Sequence, residues 1–417
     1  MIPSTPKGMC MKHLLCLAVV ILPVGAIHAD DWPQWLGPRR DGASTEKGLL
    51  DAFPKGGPKV VWDRDVGEGF SGQVIAGDRL ILFHRVDAEE IVECLHAGTG
   101  KLQWKVTYPT EYQDQLGKGN GPRSTPVISG DKVVTLGAEG TLHCLTLEDG
   151  KKLWSRSLTK DYKTPLGYFG IGTSPIVEQG LVLINVGGPK AGIVAFDLKD
   201  GKEAWKATDD PPSYSSPVVT TVDGARRAVF FTRTGAVVLD PKTGAVLYSK
   251  RWRARYDASV NAATPLIIGN QAFLSTSYET GALLLKLKKN GADEVWTDES
   301  IMSNHYNTCI YYDGHLYGFD GRQEAGPNLR CVDLTAKKVK WEQDRFGCGT
   351  MIHADGKLIV LTEKGDLCLV QATPAAFRET ARVRLMEAGP CRAQIALANG
   401  RLYARDQKKL VCVDLRK

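Results

Sequence analysis

The 417-residue chain is 43% hydrophobic and 24% charged, which excludes a disordered chain and leaves ample material for a core. Its 53 Lys and Arg against 47 Asp and Glu give a net charge of +6, scattered along the chain rather than gathered in runs. That excludes the concentrated basic face that nucleic acid requires.

In chain order, residues 1–29 read as a Sec-type export signal. Lys7, Lys12 and His13 precede the apolar run Leu14–Ala29, and Ala29 is small enough to end it at a cleavage site. Pro23 and the short length disfavour a spanning helix. No other segment is apolar enough to cross a membrane, so the mature chain, residues 30–417, is expected to be periplasmic or secreted.

Next comes "KVVW" (Lys59 to Trp62), a strand without a partner ahead of it. A phrase then recurs: "CLHAGTGKLQW" ends at Trp104, "CLTLEDGKKLW" at Trp154, "AFDLKDGKEAW" at Trp205 and "VLDPKTGAVLY" at Tyr248. "LKLKKNGADEVW" follows to Trp296, and "CVDLTAKKVKW" to Trp341. These aromatic residues lie 43 to 51 residues apart, the period of stacked supersecondary units. Each unit carries two more strands ahead of the phrase. In "TPVISGDKVVTLGAEGTLHCLTLEDGKKLW" every connection holds Gly with Asp, Glu or Lys, the chemistry of tight antiparallel hairpins.

Eight first strands are countable, from "SGQVIAGD" at Ser71 to "RAQIALANG" at Arg392. The seventh unit has lost its glycine turn and tryptophan, offering "CLVQATPAAFRETARVRLM" instead. The chain ends on "CVDLRK", a third strand with no fourth, and "KVVW" is a fourth strand with no third. Joined, they restore the phrase. The expectation is therefore an all-β, eight-bladed propeller closed by pairing of its two ends, with blades ending near 104, 154, 205, 248, 296, 341, 386 and 417.

Cys94, Cys144, Cys331, Cys368 and Cys412 share one repeat position with Ala195, Val238 and Leu285. A place open to Cys, Ala and Val is a small buried slot rather than a disulfide framework. Trp62, Trp104, Trp154, Trp205, Tyr248, Trp296 and Trp341 are read as blade-docking residues, each stabilising the ring by about 1.5–3 kcal/mol on burial. Their role is structural.

The phrase resembles the tryptophan-docking motif A-x-D-x-x-T-G-K-x-x-W of pyrroloquinoline quinone (PQQ) propellers, and "AFDLKDGKEAW" is the nearest match. "DWPQWLGPRRDG" (Asp31 to Gly42) is similar to the N-terminal segment of those proteins, and "GPRSTPVISGDKVVTLGAEG" to planctomycete PQQ-like repeat proteins. The resemblance implies the fold and two branches of function. One is the quinoprotein alcohol dehydrogenases; the other is the BamB-type lipoprotein, a non-enzymatic scaffold of outer-membrane protein assembly. The dehydrogenases imply PQQ, calcium, a carboxylate base and, in many members, a vicinal cysteine pair. No two cysteines are adjacent here, and residues 30–417 spread over eight blades leave no room for roofing insertions.

Connections from each fourth strand to the next first strand are long, and the turns between second and third strands share their face. A rigid ring showing its variable loops on one side is a binding surface. Arg123, Tyr168, Tyr214, Tyr256, Asn261, His305, Tyr306 and Asn307 lie there at the starts of channel-lining strands, with Arg123 and Asn261 preferred. His305 is the histidine of a between-blade loop. Cys309, Cys348 and Cys391 fall near three successive first strands. The expected function is a binding or scaffold module for a protein, small-molecule or saccharide partner in an envelope-associated complex, with no metal, no cofactor and no catalysis of its own. The alternative is a dehydrogenase using PQQ and Ca2+; a hydrolase or lyase working at the propeller mouth ranks third.

Overall fold

The computed structural model describes residues 1–3, 31–256 and 259–417; the body and cleavage site of the expected export signal lie outside them. The described residues form eight separate four-stranded antiparallel sheets. Blade 1 runs Val74–Ala76, Arg79–Val86, Glu89–His96 and Leu102–Pro109, strands a to d. Blades 2 to 7 repeat that order, with strands a starting at Val127, Ile176, Val218, Leu266, Ile310 and Gly349. Blade 8 is built from Ala396–Ala398, Arg401–Arg405 and Lys409–Asp414, and its strand d is Lys59–Asp65 from the other end of the chain. The first strand a also neighbours the last, so the sheets close into a ring.

The closing seam has the register of the internal ones. Trp62 stands opposite Cys412, as Trp104 does to Cys94, Trp154 to Cys144, Trp205 to Ala195 and Trp341 to Cys331. In each a bulge follows, because one extra residue precedes the aromatic. Blade 5 corrects the expected alignment. Trp296 faces Leu284, and Leu285 faces Glu294, so the paired residues are joined by a connection two residues longer than that between Cys94 and Trp104. Strand d runs on a few residues past its aromatic, to Pro109 beyond Trp104 and to Ser157 beyond Trp154. Those residues keep pairing with strand c.

The hydrophobic cores lie between blades. Val134, Leu136, Cys144 and Trp154 of blade 2 pack on Val182, Ile184, Val194 and Phe196 of blade 3. Each indole reaches across such a seam. Trp62 donates its Nε1–H to Ala97 O at 2.9 Å, Trp104 to Leu147 O at 3.0 Å and Trp154 to Leu198 O at 2.9 Å. The receiving turn holds a glycine against the ring. A Cβ on Gly201, at φ +72°, would sit 2.7 Å from Trp154. In blade 6 that place is taken by Lys337, which adopts φ 50° and lays its ammonium 5.6 Å over the Trp296 ring. Blade 7 lacks the glycine turn, and Phe377 packs edge-on against Trp341 instead, 5.6 Å between centroids. Arg382 occupies the place of its missing tryptophan, opposite Cys368.

Around the axis, a belt of side chains two residues ahead of strand a ties the blades together. Gly72 N–H donates to Thr125 Oγ1, Thr125 N–H to Ser174 Oγ, Ser174 N–H to Ser216 Oγ and Thr264 N–H to Thr308 Oγ1, all at 2.9–3.0 Å. Residues 31–50 cross the ring beside this belt. Trp32 bridges to Ile75 in blade 1, Arg40 donates to Ser174 O and Pro175 O in blade 3, and Ala43 bridges to His353 in blade 7. Between them Trp35 donates Nε1–H to Thr264 Oγ1 in blade 5 at 2.9 Å.

Candidate functional site

Trp35 is the floor of a cavity of about 370 Å³ at the loop-rich end of the channel. One repeat position builds most of its wall. The residue four places ahead of strand a is Phe70, Arg123, Gly172, Tyr214, Ala262, Tyr306 or Arg392 in seven of the blades, and all seven line the cavity. At that position the chain leaves its loop and turns down into the innermost strand, so the side chain is directed at the axis. The mouth is completed by the longer loops, through Lys118, Tyr168, Phe169, His305 and Arg322 among others.

Flat groups follow one another around the wall. Tyr214 and Phe169 have centroids 5.7 Å apart. The Arg123 guanidinium lies 5.7 Å from Phe169 and 5.4 Å from Phe70, and Arg392 lies 5.4 Å from Phe70. Arg392 Nε donates to Glu363 Oε1 at 2.7 Å, and Glu363 also accepts a short hydrogen bond from Tyr306. Beyond it His305 packs on Tyr278, over which Arg322 sits 4.7 Å from the ring centroid. The Gln323 N–H donates to His305 Nδ1 at 3.4 Å, so the proton is on Nε2, which donates to Tyr278 Oη at 2.9 Å. That leaves the Tyr278 O–H free as a donor. Burial lowers the His305 pKa below its ordinary value, so the ring is neutral around pH 7.

Of the eight residues nominated from sequence, Arg123, Tyr168, Tyr214, His305 and Tyr306 line the cavity. Three do not. Asn261 is 2% exposed and donates Nδ2–H to Thr232 O of blade 4 at 2.8 Å, so it ties the entry to blade 5 onto its neighbour. Asn307 is buried between Gly349 O, to which it donates, and the Cys348 thiol, from which Oδ1 accepts. Tyr256 is exposed on the rim and reaches Glu279. Arg123 lines the wall with its polar edge spent: it pairs with buried Asp114 and donates to Gly119 O and Gly121 O. Phe70, Phe169, Tyr278, Arg322, Arg392 and Trp35 were missed. For Phe70 and Arg392 the signal was available, since "GFSGQ" and "CRAQI" place them at the offset that Arg123 has in "PRSTP".

All eight cysteines of the described residues are free and buried. The channel thiols donate to asparagines, Cys309 to Asn304 and Cys348 to Asn307, and burial pushes both pKa values up to about 12. They are inert. Among the described residues no three His, Cys, Asp or Glu side chains gather where they could hold a metal ion. The shielded carboxylates of the wall are each committed to an arginine, Asp114 to Arg123 and Glu363 to Arg392, while the more exposed Glu324 meets Arg322 at 3.4 Å. These residues do not fit a calcium-bound quinone.

Fold and site together define an eight-bladed β-propeller, a ring presenting an aromatic and cationic mouth. A family model described as outer membrane protein assembly factor BamB matches residues 88–343, more than half of the chain, and the chain belongs to that family. It is 22% identical over 371 residues to the outer membrane protein assembly factor BamB of Yersinia pestis, covering 84% of each chain. Its fold is that of BamB from Moraxella catarrhalis, with TM-score 0.64 at 14% identity over 85% of this chain and 97% of that one. Quinohemoprotein alcohol dehydrogenase from Comamonas testosteroni shares the fold more loosely, with TM-score 0.53 at 13% identity over 93% of this chain and 81% of that one.

Proposed function

We propose that the protein is an exported, non-catalytic scaffold that holds a protein partner on its loop-rich face during outer-membrane protein assembly. The observation that carries this reading is the commitment of the shielded carboxylates Asp114 and Glu363 to arginines in a mouth rich in flat side chains. Groups that would serve as bases or metal ligands are spent on holding the recognition surface in shape. Membership of the assembly-factor family supports the same reading. The place of action that follows is the periplasm, at the outer membrane; among the described residues no helix is long and apolar enough to cross a membrane.

The test is photo-crosslinking in the native host from Tyr256, on the rim, and from Leu153, on an outer strand away from the mouth. A single envelope partner crosslinked from Tyr256 and absent from Leu153 is expected, together with depletion of outer-membrane proteins in a deletion strain. Dye-linked alcohol oxidation appearing on addition of PQQ and calcium to the purified protein would overturn the reading.

A further inference from the structure

The cavity has an imbalance that the scaffold role leaves unused. Its carboxylates are spent, while several of its donors are not. Among the described residues the two terminal nitrogens of Arg392 donate to no protein group, although its Nε holds Glu363 and its face lies on Phe70. The Tyr278 O–H is free for the tautomer reason given above, and the Tyr214 hydroxyl accepts from Phe169 N–H at 3.0 Å and keeps its own proton to donate. At the mouth, Lys118 has no carboxylate partner among the described residues, and half-exposed Arg322 meets Glu324 only at 3.4 Å. Donor groups without acceptors, set in aromatic walls, are complementary to a ligand that brings its own oxygen anion.

Depth sorts these donors into two roles. Arg392 lies in the wall with its side chain 20% exposed, whereas Arg322 is 50% exposed at the entrance. Cations at an entrance raise the local concentration of an anion, and a desolvated guanidinium further in fixes it. Phe70, Phe169 and the Trp35 floor present flat apolar surface to whatever carries that anion. A space of about 370 Å³ takes one small ligand or the last residue of a chain, and not a folded surface.

Resting on the reading of this face as a binding surface, we infer that the cavity is a carboxylate-recognition pocket. Arg392 anchors the carboxylate, Arg322 and Lys118 guide it in, and the aromatic wall receives a flat apolar body. The same chemistry is offered by a free aromatic acid and by the carboxyl-terminal residue of a polypeptide ending in an aromatic side chain.

Calorimetric titration of the full mature chain with 3-phenylpropionate, with its neutral amide and with the peptide Gly-Gly-Gly-Phe as free acid tests this. We expect saturable binding of at least one acid and a loss of about tenfold or more for the amide, the worth of one charged hydrogen-bonded contact. Arg392→Gln should lose a similar factor. Because Arg392 also steadies Glu363, Arg322→Gln is the second variant: it gives up the cation over Tyr278 and the pair with Glu324 but leaves Arg392 and Glu363 in place, and it should weaken binding about two- to fivefold and flatten its salt dependence. Preference for the peptide assigns the pocket to a chain terminus, and preference for phenylpropionate assigns it to a free acid. Equal binding of acid and amide, or no saturation by either acid with folded wild-type protein, overturns the pocket. Crosslinking from Tyr256 that persists in that case would show that the scaffold role stands without it.

Discussion

Trp62 faces Cys412 across the seam that joins the two ends of the chain, and its indole N–H then crosses to Ala97 O in blade 1. One residue thus closes blade 8 and docks it to its neighbour. Truncation to alanine removes a nearly buried indole and its hydrogen bond, at a cost of about 3 kcal/mol or more. Trp62→Ala should lower the urea midpoint of the whole ring, and limited proteolysis should cut first around Lys59–Asp65. A midpoint equal to that of wild type would mean that the clasp is not needed.

The docking turns make a second prediction. Gly201 and Gly180 both have positive φ, +72° and +81°, so alanine is strained by about 1 kcal/mol at either. Only at Gly201 would the new methyl also strike an indole; around Gly180 there is nothing within 4 Å. Gly201→Ala should therefore destabilise by clearly more than Gly180→Ala in matched denaturant melts. Equal losses would show that the turn tightens for backbone reasons alone.

Much of this was legible in the sequence because a repeat exposes its own constraints. The phrase ending in tryptophan marked strands c and d, the severed halves at Trp62 and Cys412 marked the closure, and the Gly turns marked the hairpins. The site was legible in part. Arg123, Tyr214 and Tyr306 stand at a fixed offset from strand a that points to the axis, yet Phe70 and Arg392 share it and escaped because they lie in connections of different length. Asn261 and Asn307 looked like recognition residues because a polar amide in a loop gives no sign of which carbonyl it will bind. Trp35 was beyond reach, since its place depends on residues 31–50 crossing the ring to blades 1, 3, 5 and 7.

Arg123 and Asp114 carry a third prediction. The Asp114 carboxylate is shielded from water and the Arg123 side chain is 12% exposed, and the guanidinium also ties down Gly119 O and Gly121 O, so the pair sets the loop between blades 1 and 2. Removing one partner strands the other charge in a dry place, a cost of about 3 kcal/mol. Arg123→Ala and Asp114→Ala should each destabilise the fold and speed amide exchange through residues 110–123, and the double variant should lose much less than the sum. Additive losses would mean that the two side chains act independently.

Stability should also respond to pH through a buried group at the seam of blades 1 and 2. Glu90 accepts from Ala138 N–H at 2.8 Å, beside Tyr108, Arg85 and Glu139, and burial lifts its pKa from 4.5 to about 7. The fold prefers the protonated acid, so its contribution is full below pH 4.5 and is lost as pH rises to 7, on the order of 3 kcal/mol in all. His143 and His353 have the opposite sense. Burial lowers them from 6.5 to about 4, so their contribution is present above pH 6.5 and is lost as pH falls to 4. Glu90→Gln should be more stable than wild type at pH 8 and should lose the decline between pH 5 and 7, read from urea midpoints. A decline unchanged in the variant would place the titration elsewhere.

The floor of the cavity gives the last test. Trp35 donates to Thr264 Oγ1 from a segment held at Trp32 by blade 1 and at Arg40 by blade 3, so its ring is fixed from both sides. Trp35→Phe keeps a flat floor and loses only the hydrogen bond, about 1 kcal/mol. Trp35→Ala removes the flat floor and enlarges the cavity, which adds the lost apolar burial of the half-buried ring, about 2 kcal/mol. The two variants should therefore separate in thermal melts, and the alanine variant should weaken binding of an aromatic acid while the phenylalanine variant holds it. If both variants melt and bind alike, the indole contributes through its N–H and not as a floor.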